Sequence, residues 1–568
     1  MESSDESDLD GFDEQDIDEA NARCMLKQQE LEQVESYNES DIDISDNSDD
    51  EEEDTADFSD NENESENGGD PYLDNLNFEW TRTLTEVILP DFNEPTGVKH
   101  GLPSDANQLQ YFQRFLPQSF FETVADETNR YAQQKGPDPR WTPTSAAEVR
   151  AFISINIMMG VRRLPRLANY WSTDKRFSDP YISSIFPKSR FLIMNRYIHL
   201  RDTSNVPGRN DPDYDPLFKV RNMIDLIVPK LQENYNPGQK LSIDEGMIGF
   251  KGRVHFRQYM PAKPTKWGIK VWQICEADTA YCCKFQIYTG KKLGGDRQYG
   301  LGYDVVWSLS ESYHNQNRHL YFDRFFSSVT LAEHLELVNT YVCGTIMSNR
   351  KGVPDDVKKA KLKRRGELVQ IQKGNLLATA FKDKRQITFL STSEQPNMNE
   401  DLHKPHVNVS YNMYMGGVDK FDQMASYYPV GRPGNKWWRY VMWYVVNLAI
   451  VNAWILFQKT ENKDPPPKKY YDHLQFRVDV ADQLQAGFTC RKYRAGRRSR
   501  NDENIPVLGA INHHKLVKIE GRKRVCRQCS KQGRKTPKGR AVETSFMCQF
   551  CVMPLCKVGC FTDYHERN

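Results

Sequence analysis

Basic residues are nearly missing from the first 70 positions, where Arg23 and Lys27 stand against 29 Asp and Glu. Asp49 to Asp54 is an unbroken acidic run. Such a stretch cannot bury enough apolar surface to offset its ordering entropy, so residues 1–75 are expected to be a disordered acidic tail. The same stretch lacks the apolar segment of a secretory signal. A secreted disulfide framework is therefore not expected for the 12 cysteines. Cysteine is itself sparse over most of the chain: Cys24, Cys275, Cys282, Cys283, Cys343 and Cys490 are scattered, and the other six fall between Cys526 and Cys560. Thiols clustered in a reducing compartment read as metal ligands. Long apolar runs are also rare. Tyr440 to Phe457 reaches the 18 residues that raise a membrane span. Asn447 and Asn452 interrupt it, and Lys436 and Arg439 stand at its start, so a buried core helix is expected and no membrane partner.

The net charge of −2 conceals an asymmetry. Outside the tail, 49 acids face 74 basic residues, an excess of 25 positive charges. A basic body with an acidic arm points to a polyanionic partner.

Gln108 to Leu116, Ser119 to Gln134, Ser145 to Gly160, Ser189 to Leu200 and Phe218 to Asn234 space their apolar residues as amphipathic helices do. They suggest a helical domain over 76–236. Past Pro237 the period changes to that of strands, beginning with Leu241 to Ile243. Strands follow at Phe256 to Met260, Gly268 to Cys275, Tyr281 to Tyr288, Leu320 to Asp323 and Tyr341 to Met347, with helices at Val305 to Tyr313 and Ser328 to Val338. This is a mixed α/β order over 237–430. A β-rich insertion is expected at 348–406, with a basic run at Lys358 to Arg365. The helical part resumes over 431–480. A basic linker covers 481–511, and Arg491 to Arg500 within it reads as a nuclear import signal or a phosphate-binding segment. A Cys/His module closes the chain over 512–568.

Two kinds of chemistry stand out. Asp244 and Asp323 end strands, and Asp419 and Asp422 lie three apart, so they share one face of a helix. A strand-end Asp also caps its own backbone, which is the plainer reading of any one of them. Taken as a set they suit hard divalent cations and two-metal phosphoryl transfer. At the C-terminus, Cys526-x2-Cys529, Cys548-x2-Cys551, Cys556, Cys560 and His565 have zinc-ligand spacing. They are seven ligands, one short of two tetrahedral sites, and His514 or His513 supplies an eighth. Arg522, Lys523 and Arg524 surround them with charge that suits a nucleic acid, although zinc modules also bind proteins.

At this point the chain resembles the piggyBac family of DNA transposases. The resemblance rests on Ile243-Asp-Glu-x4-Phe-Lys-Gly-Arg253 and on Arg257-x-Tyr-x-Pro-x-Lys-Pro-x-Lys-x-Gly-Ile-Lys270. It rests also on Cys343-Gly-Thr345, on Gly416-Gly-Val-Asp-Lys-Phe-Asp-Gln-Met424 and on the terminal Cys/His pattern. It covers about residues 105–568. It implies an RNase H-like catalytic core with a β-rich insertion, a flanking helical domain for DNA binding and dimerisation, and a cross-brace zinc module. It implies Mg²⁺ or Mn²⁺ on Asp244, Asp323 and Asp419, with Asp422 as a further important acid. Two zinc ions are implied on His514, Cys526, Cys529, Cys548, Cys551, Cys556, Cys560 and His565. Arg253, Lys266, Arg522, Lys523 and Arg524 are expected DNA contacts. The implied activity is cut-and-paste transposition by a homodimer in the nucleus, acting on terminal inverted repeats and on TTAA targets. Arg324 departs from the Asn that often follows the second acid. The rival reading is a domesticated, sequence-specific DNA-binding protein without transposition, and a third is a protein-binding zinc adaptor.

Overall fold

The computed structural model describes residues 79–209, 211–261, 263, 265–290, 298–490, 515–549 and 552–566. The acidic tail, the run Arg491 to Arg500, His513, His514 and Cys551 lie outside the described residues. The chain forms two compact units that divide between Arg491 and Lys492.

The first unit begins with helices α1 (Gln108–Gln113), α2 (Gln118–Gln134), α3 (Ala146–Val161), α4 (Lys188–Tyr197) and α5 (Arg221–Asn234). Their starts are written locally. Asn107 accepts from the Gln110 N–H while the Gln110 side chain accepts from the Asn107 N–H, a capping box. Ser145 caps α3 through Glu148 N. Inside this layer the buried Glu148 carboxylate takes both arms of the Arg190 guanidinium at 2.7 and 2.6 Å. Burial alone would raise the Glu148 pKa, but the Arg190 hydrogen bonds hold it below the usual value. Arg190→Ala strands a buried charge and is expected to destabilise this unit by about 3 kcal/mol in urea titration. Because the Glu148 pKa is depressed, the pair stabilises fully above the unfolded carboxylate pKa. That contribution fades as pH falls through the folded value.

Nine strands then form one mixed sheet. In chain order they are β1 (Lys240–Gly249), β2 (Arg257–Tyr259), β3 (Trp267–Glu276), β4 (Cys282–Ile287), β5 (Arg318–Phe322), β6 (Thr340–Thr345), β7 (Leu368–Lys373), β8 (Leu376–Lys382) and β9 (Gln386–Ser391). The spatial order is β2-β3-β1-β5-β6-β9-β8-β7, with β4 also paired to β3. β1 runs antiparallel to β3 and parallel to β5, and β5 runs parallel to β6. Helices α6 (Leu301–Ser310) and α7 (Val329–Leu337) make the crossovers that parallel pairing requires. The strands of the stretch expected as an insertion continue this same sheet, because β9 pairs antiparallel with β6. The outer edge at β7 is covered in part by the chain near Thr81, which exchanges hydrogen bonds with Gln372 at 2.8 and 2.9 Å.

Helices α8 (His406–Tyr414), α9 (Gly417–Tyr427), α10 (Trp437–Lys459) and α11 (His473–Gln485) complete the unit. α10 is long and apolar enough to cross a membrane by composition, but it is packed inside the protein. Its two Asn explain why. Asn452 donates to Cys282 O at 2.8 Å and accepts from Cys282 N at 3.1 Å, which ties the helix to strand β4. Asn447 donates to Ala425 O and accepts from the fully buried Arg477 at 2.6 Å. In hydrocarbon these groups would have no such partners.

Candidate active site

β1 and β5 are adjacent parallel strands, and Ile243 is in register with Phe322. Asp244 and Asp323 are the next residues of each, so the two carboxylates stand side by side where β5 ends. The alternation of β1 puts Ser242, Asp244 and Gly246 on one face. Helix α9 lies on that face. It approaches so closely at Gly417 that a Cβ there would sit 2.3 Å from Ser242 Oγ and 3.0 Å from Glu276 O. Asp419 is in the first turn of α9 and exposed, and Asp422 follows one turn later. A Cβ on Gly246 would lie 2.3 Å from Gln273 Nε2 and 3.1 Å from Asp422 Oδ2, so β1 needs a glycine to seat that acid. Gln273, in register with Asp244 on β3, donates to Asp422 Oδ1 at 3.1 Å.

The backbone fixes the first two acids. Asp244 Oδ1 accepts from Glu245 N at 2.7 Å, and Asp323 Oδ1 accepts from Phe325 N at 2.9 Å. Asp323 therefore caps the turn after β5, as a strand-end Asp does, whereas Asp244 does not end its strand as expected but lies inside β1, which runs on to Gly249; each carboxylate keeps a second oxygen. Glu245 accepts from Lys263: the ammonium donates to its carbonyl at 3.0 Å and lies 4.0 Å from its carboxylate. Burial opposes the charge on Lys263, yet Asp244, Glu245, Asp419 and Asp422 together hold its pKa above the usual value.

These acids crowd one another. Burial, then the charge of Glu245, raises Asp244 well above the carboxylate range. Burial also raises Asp323 and takes Asp422 to about 6. Each raised carboxylate binds more protons folded than unfolded, so each destabilises the metal-free chain above its pKa. Between about pH 7 and 5 the metal-free first unit is expected to melt higher as pH falls. Saturating Mg²⁺ or Mn²⁺ should flatten that dependence in a melting series, because the ion replaces the proton as the neutralising charge. An unchanged slope with metal would mean that the acids take none.

The donor set is all oxygen and already strained by repulsion, which fits a hard divalent cation. Among the described residues the carboxylates do not close on a common centre as the thiols of the second unit do. There Cys526, Cys529, Cys556 and Cys560 bring their sulfurs within 4.8 Å of one another. Cys526 immediately precedes α12 (Arg527–Lys531), Cys529 lies within it, and Cys560 opens α13 (Cys560–Glu566). Four thiols suit a tetrahedral zinc. Cys548 stands apart from that cluster. It is buried at the end of β11 (Phe546–Cys548), opposite Leu516 of β10 (Leu516–Lys518). The thiol cluster thus draws on the first and third groups of cysteines and skips Cys548 between them. His565 Nδ1 lies 2.7 Å from Phe561 O, which places the ring proton on Nδ1 and the lone pair on Nε2. His514 and Cys551 lie outside the described residues. Arg253, Lys266, Arg522, Lys523 and Arg524 are all exposed. Gln273, Gly246 and Lys263 were not singled out from the sequence. Lys263 sits inside the motif from Arg257 to Lys270, and Gln273 is a polar residue within the apolar run Val271 to Cys275, the one signal that marks it.

Acids on neighbouring parallel strands beneath a carboxylate-bearing helix, together with a thiol cluster in a separate unit, define an α/β protein built around an acidic centre with a structural metal module. The profile of the family described as Transposase IS4 matches residues 107–454, and that of a DDE_Tnp_1-like zinc finger matches residues 510–566. The chain is 26% identical over 477 residues to human PiggyBac transposable element-derived protein 3, covering 80% of this chain and 75% of that protein. It is 23% identical over 436 residues to human PiggyBac transposable element-derived protein 5, covering 72% and 81%. Its fold matches the cryo-EM structure of a piggyBac transposase synaptic complex with hairpin DNA. The TM-score is 0.64 at 24% identity, over 82% of this chain and 98% of that one. The chain belongs to the Transposase IS4 family and is of the piggyBac type.

Proposed function

We propose that this chain is a divalent-cation-dependent DNA transposase that cuts and rejoins double-stranded DNA at terminal inverted repeats and TTAA targets. The observation that carries this reading is the placing of Asp244 and Asp323 side by side on adjacent parallel strands, with Asp419 and Asp422 on a helix against them. The strand order β4-β3-β1-β5-β6, antiparallel then parallel, supports an RNase H-like core.

Asp244, Asp323 and Asp419 would hold Mg²⁺ or Mn²⁺. A bound pair supplies Lewis-acid stabilisation of charge on phosphoryl oxygens. The chain's own residues do the rest. The backbone N–H groups of Glu245 and Phe325 aim the carboxylates of Asp244 and Asp323, and Gln273 holds Asp422 beside them. Lys263 offsets part of the charge. Arg253 and Lys266, exposed on the segments before and after β2, are placed to contact phosphates. In the second unit, Cys526, Cys529, Cys556 and Cys560 hold one zinc. Cys548, Cys551, His565 and His514 hold the other. The protein acts as a homodimer in the nucleus.

The test uses the purified full chain and a supercoiled plasmid carrying the genomic DNA that borders the coding sequence on both sides. Mn²⁺-dependent nicking at the borders of that insert is the expected result. Tight, salt-dependent binding without any nicking would overturn the enzymatic reading and leave a DNA-binding protein.

A further inference from the structure

A second concavity shares no residue with the acidic centre. It is a cavity of about 210 Å³ between the end of α2, α4 with the segment that follows it, the turn before α5, and the start of α10. Lys135, Arg196, Lys219, Lys436 and Arg439 line it, and no Asp or Glu is among the described residues that do. One wall is aromatic. Tyr131 stacks on His199 with 3.5 Å between ring centres, and His199 lies 5.2 Å from Trp438.

Arg439 carries an unsatisfied donor. Its Nη2 donates to Arg196 O at 3.3 Å, but its Nε is buried with no hydrogen-bond partner. Burial pulls this guanidinium down to about 10, with only Tyr131 acting the other way. A buried donor on a charged group is costly until an acceptor completes it. His199, taken down to about 4 chiefly by burial and then by Arg439 and Lys219, is neutral at pH 7 and offers a flat ring rather than a charge. The cavity also lies at the N-terminus of α10. That helix is 23 residues long, has no side-chain cap at Lys436 and has no acid in its first turn. Its first N–H groups and the positive end of its dipole add to the five cations.

We propose that this cavity is a seat for one phosphate group, bound by Arg439 and Lys436 with Arg196, Lys135 and Lys219 around it. Phosphate supplies enough acceptor oxygens for an Arg fork and several ammonium groups at once. The aromatic wall suits the sugar or base of a nucleotide attached to it. The phosphate comes from a DNA backbone or from a free phosphorylated solute. The DNA source rests on the function proposed above, whereas the seat itself does not.

Arg196 and Lys436 are exposed, so the double variant Arg196→Gln/Lys436→Gln is expected to fold. The full-length protein is melted in sodium phosphate and in sodium chloride of matched ionic strength. Phosphate should raise the wild-type midpoint more than chloride does. In the double variant the apparent phosphate affinity should fall at least ~10-fold. A charge-matched control, Lys358→Gln/Lys361→Gln, should keep the phosphate response. In parallel, binding of a random-sequence duplex is followed against salt. Loss of about one unit from the slope of log K against log salt, at about 0.9 per phosphate contact, identifies the DNA backbone as the source. An unchanged slope with a lost phosphate response identifies a free phosphorylated solute. Equal phosphate responses in wild type and double variant overturn the seat. A wild type that binds no duplex overturns the proposed function while the melting arm still decides the seat.

Discussion

Asp244→Asn is expected to reduce divalent-cation-dependent DNA nicking roughly 10,000-fold or more, about 5.4 kcal/mol of transition-state stabilisation at 1.36 kcal/mol per tenfold. Asn keeps the shape and can still accept the Glu245 N–H that Asp244 accepts at 2.7 Å. It removes the charge that a hard cation requires. The folded chain should not suffer. Asp244 is held well above the carboxylate range by burial and by the nearby charges of Glu245 and Asp323, so neutralising it relieves repulsion. The metal-free variant should therefore melt at or above the parent temperature, while isothermal titration with Mn²⁺ shows weakened binding. This split separates a ligand from a structural carboxylate. Undiminished nicking by Asp244→Asn would remove it from the metal set. Lost nicking with a lower melting point and intact Mn²⁺ binding would make it a scaffold residue.

Removing zinc should have the larger effect on stability, and only on the second unit. The buried apolar cluster there consists of Cys526, Cys529 and Cys560, with Val542 and Cys556 packed against it. Its strands are short, since β10 and β11 have three residues each. Among its described residues, Ile519 and Leu555 are the buried apolar side chains besides the thiols. Its folding free energy is then largely metal-binding free energy, on the order of 10 kcal/mol or more. Chelation, or Cys529→Ser, is expected to erase amide-exchange protection at Leu516–Lys518 and Phe546–Cys548. Protection in β1, β3 and α10 should be left as it was. Elemental analysis should give two zinc ions per chain in the wild type and fewer in Cys529→Ser. Protection in β10 and β11 that survives a strong chelator would show that the thiols are packed as small apolar groups.

Much of the acidic centre could be read from residues because its signals are local. Asp244 ends an apolar-polar alternation, Asp419 and Asp422 are one helical turn apart, and the surrounding motifs are contiguous. The clustered thiols of Cys526, Cys529, Cys556 and Cys560 were legible for the same reason: their spacing is a property of neighbouring positions. The buried helix was legible too, since Asn447 and Asn452 contradict a membrane span. What no local signal carried was pairing across long separations. Gln273 meets Asp422 from 149 positions away. Gly246 is required by a helix that arrives more than 170 residues later, and a glycine in a strand does not announce what will sit on it.

Residue order alone therefore decided which thiols and carboxylates are candidate ligands, the acidic tail's composition, the helical and strand periods and the family resemblance. Each of these is fixed within a few turns of chain. The tertiary structure decided which acids become neighbours, through the parallel register of Ile243 with Phe322. It decided that the strands at 368–391 extend the central sheet, and that the thiols of Cys526, Cys529, Cys556 and Cys560 share one centre while Cys548 does not. It also gathered five cations, Arg439 among them, from four separate segments. The reason is common to all four. Charge and register across a sheet or cavity depend on which surfaces the packing brings together, and a linear pattern contains the charges but not the distances between them.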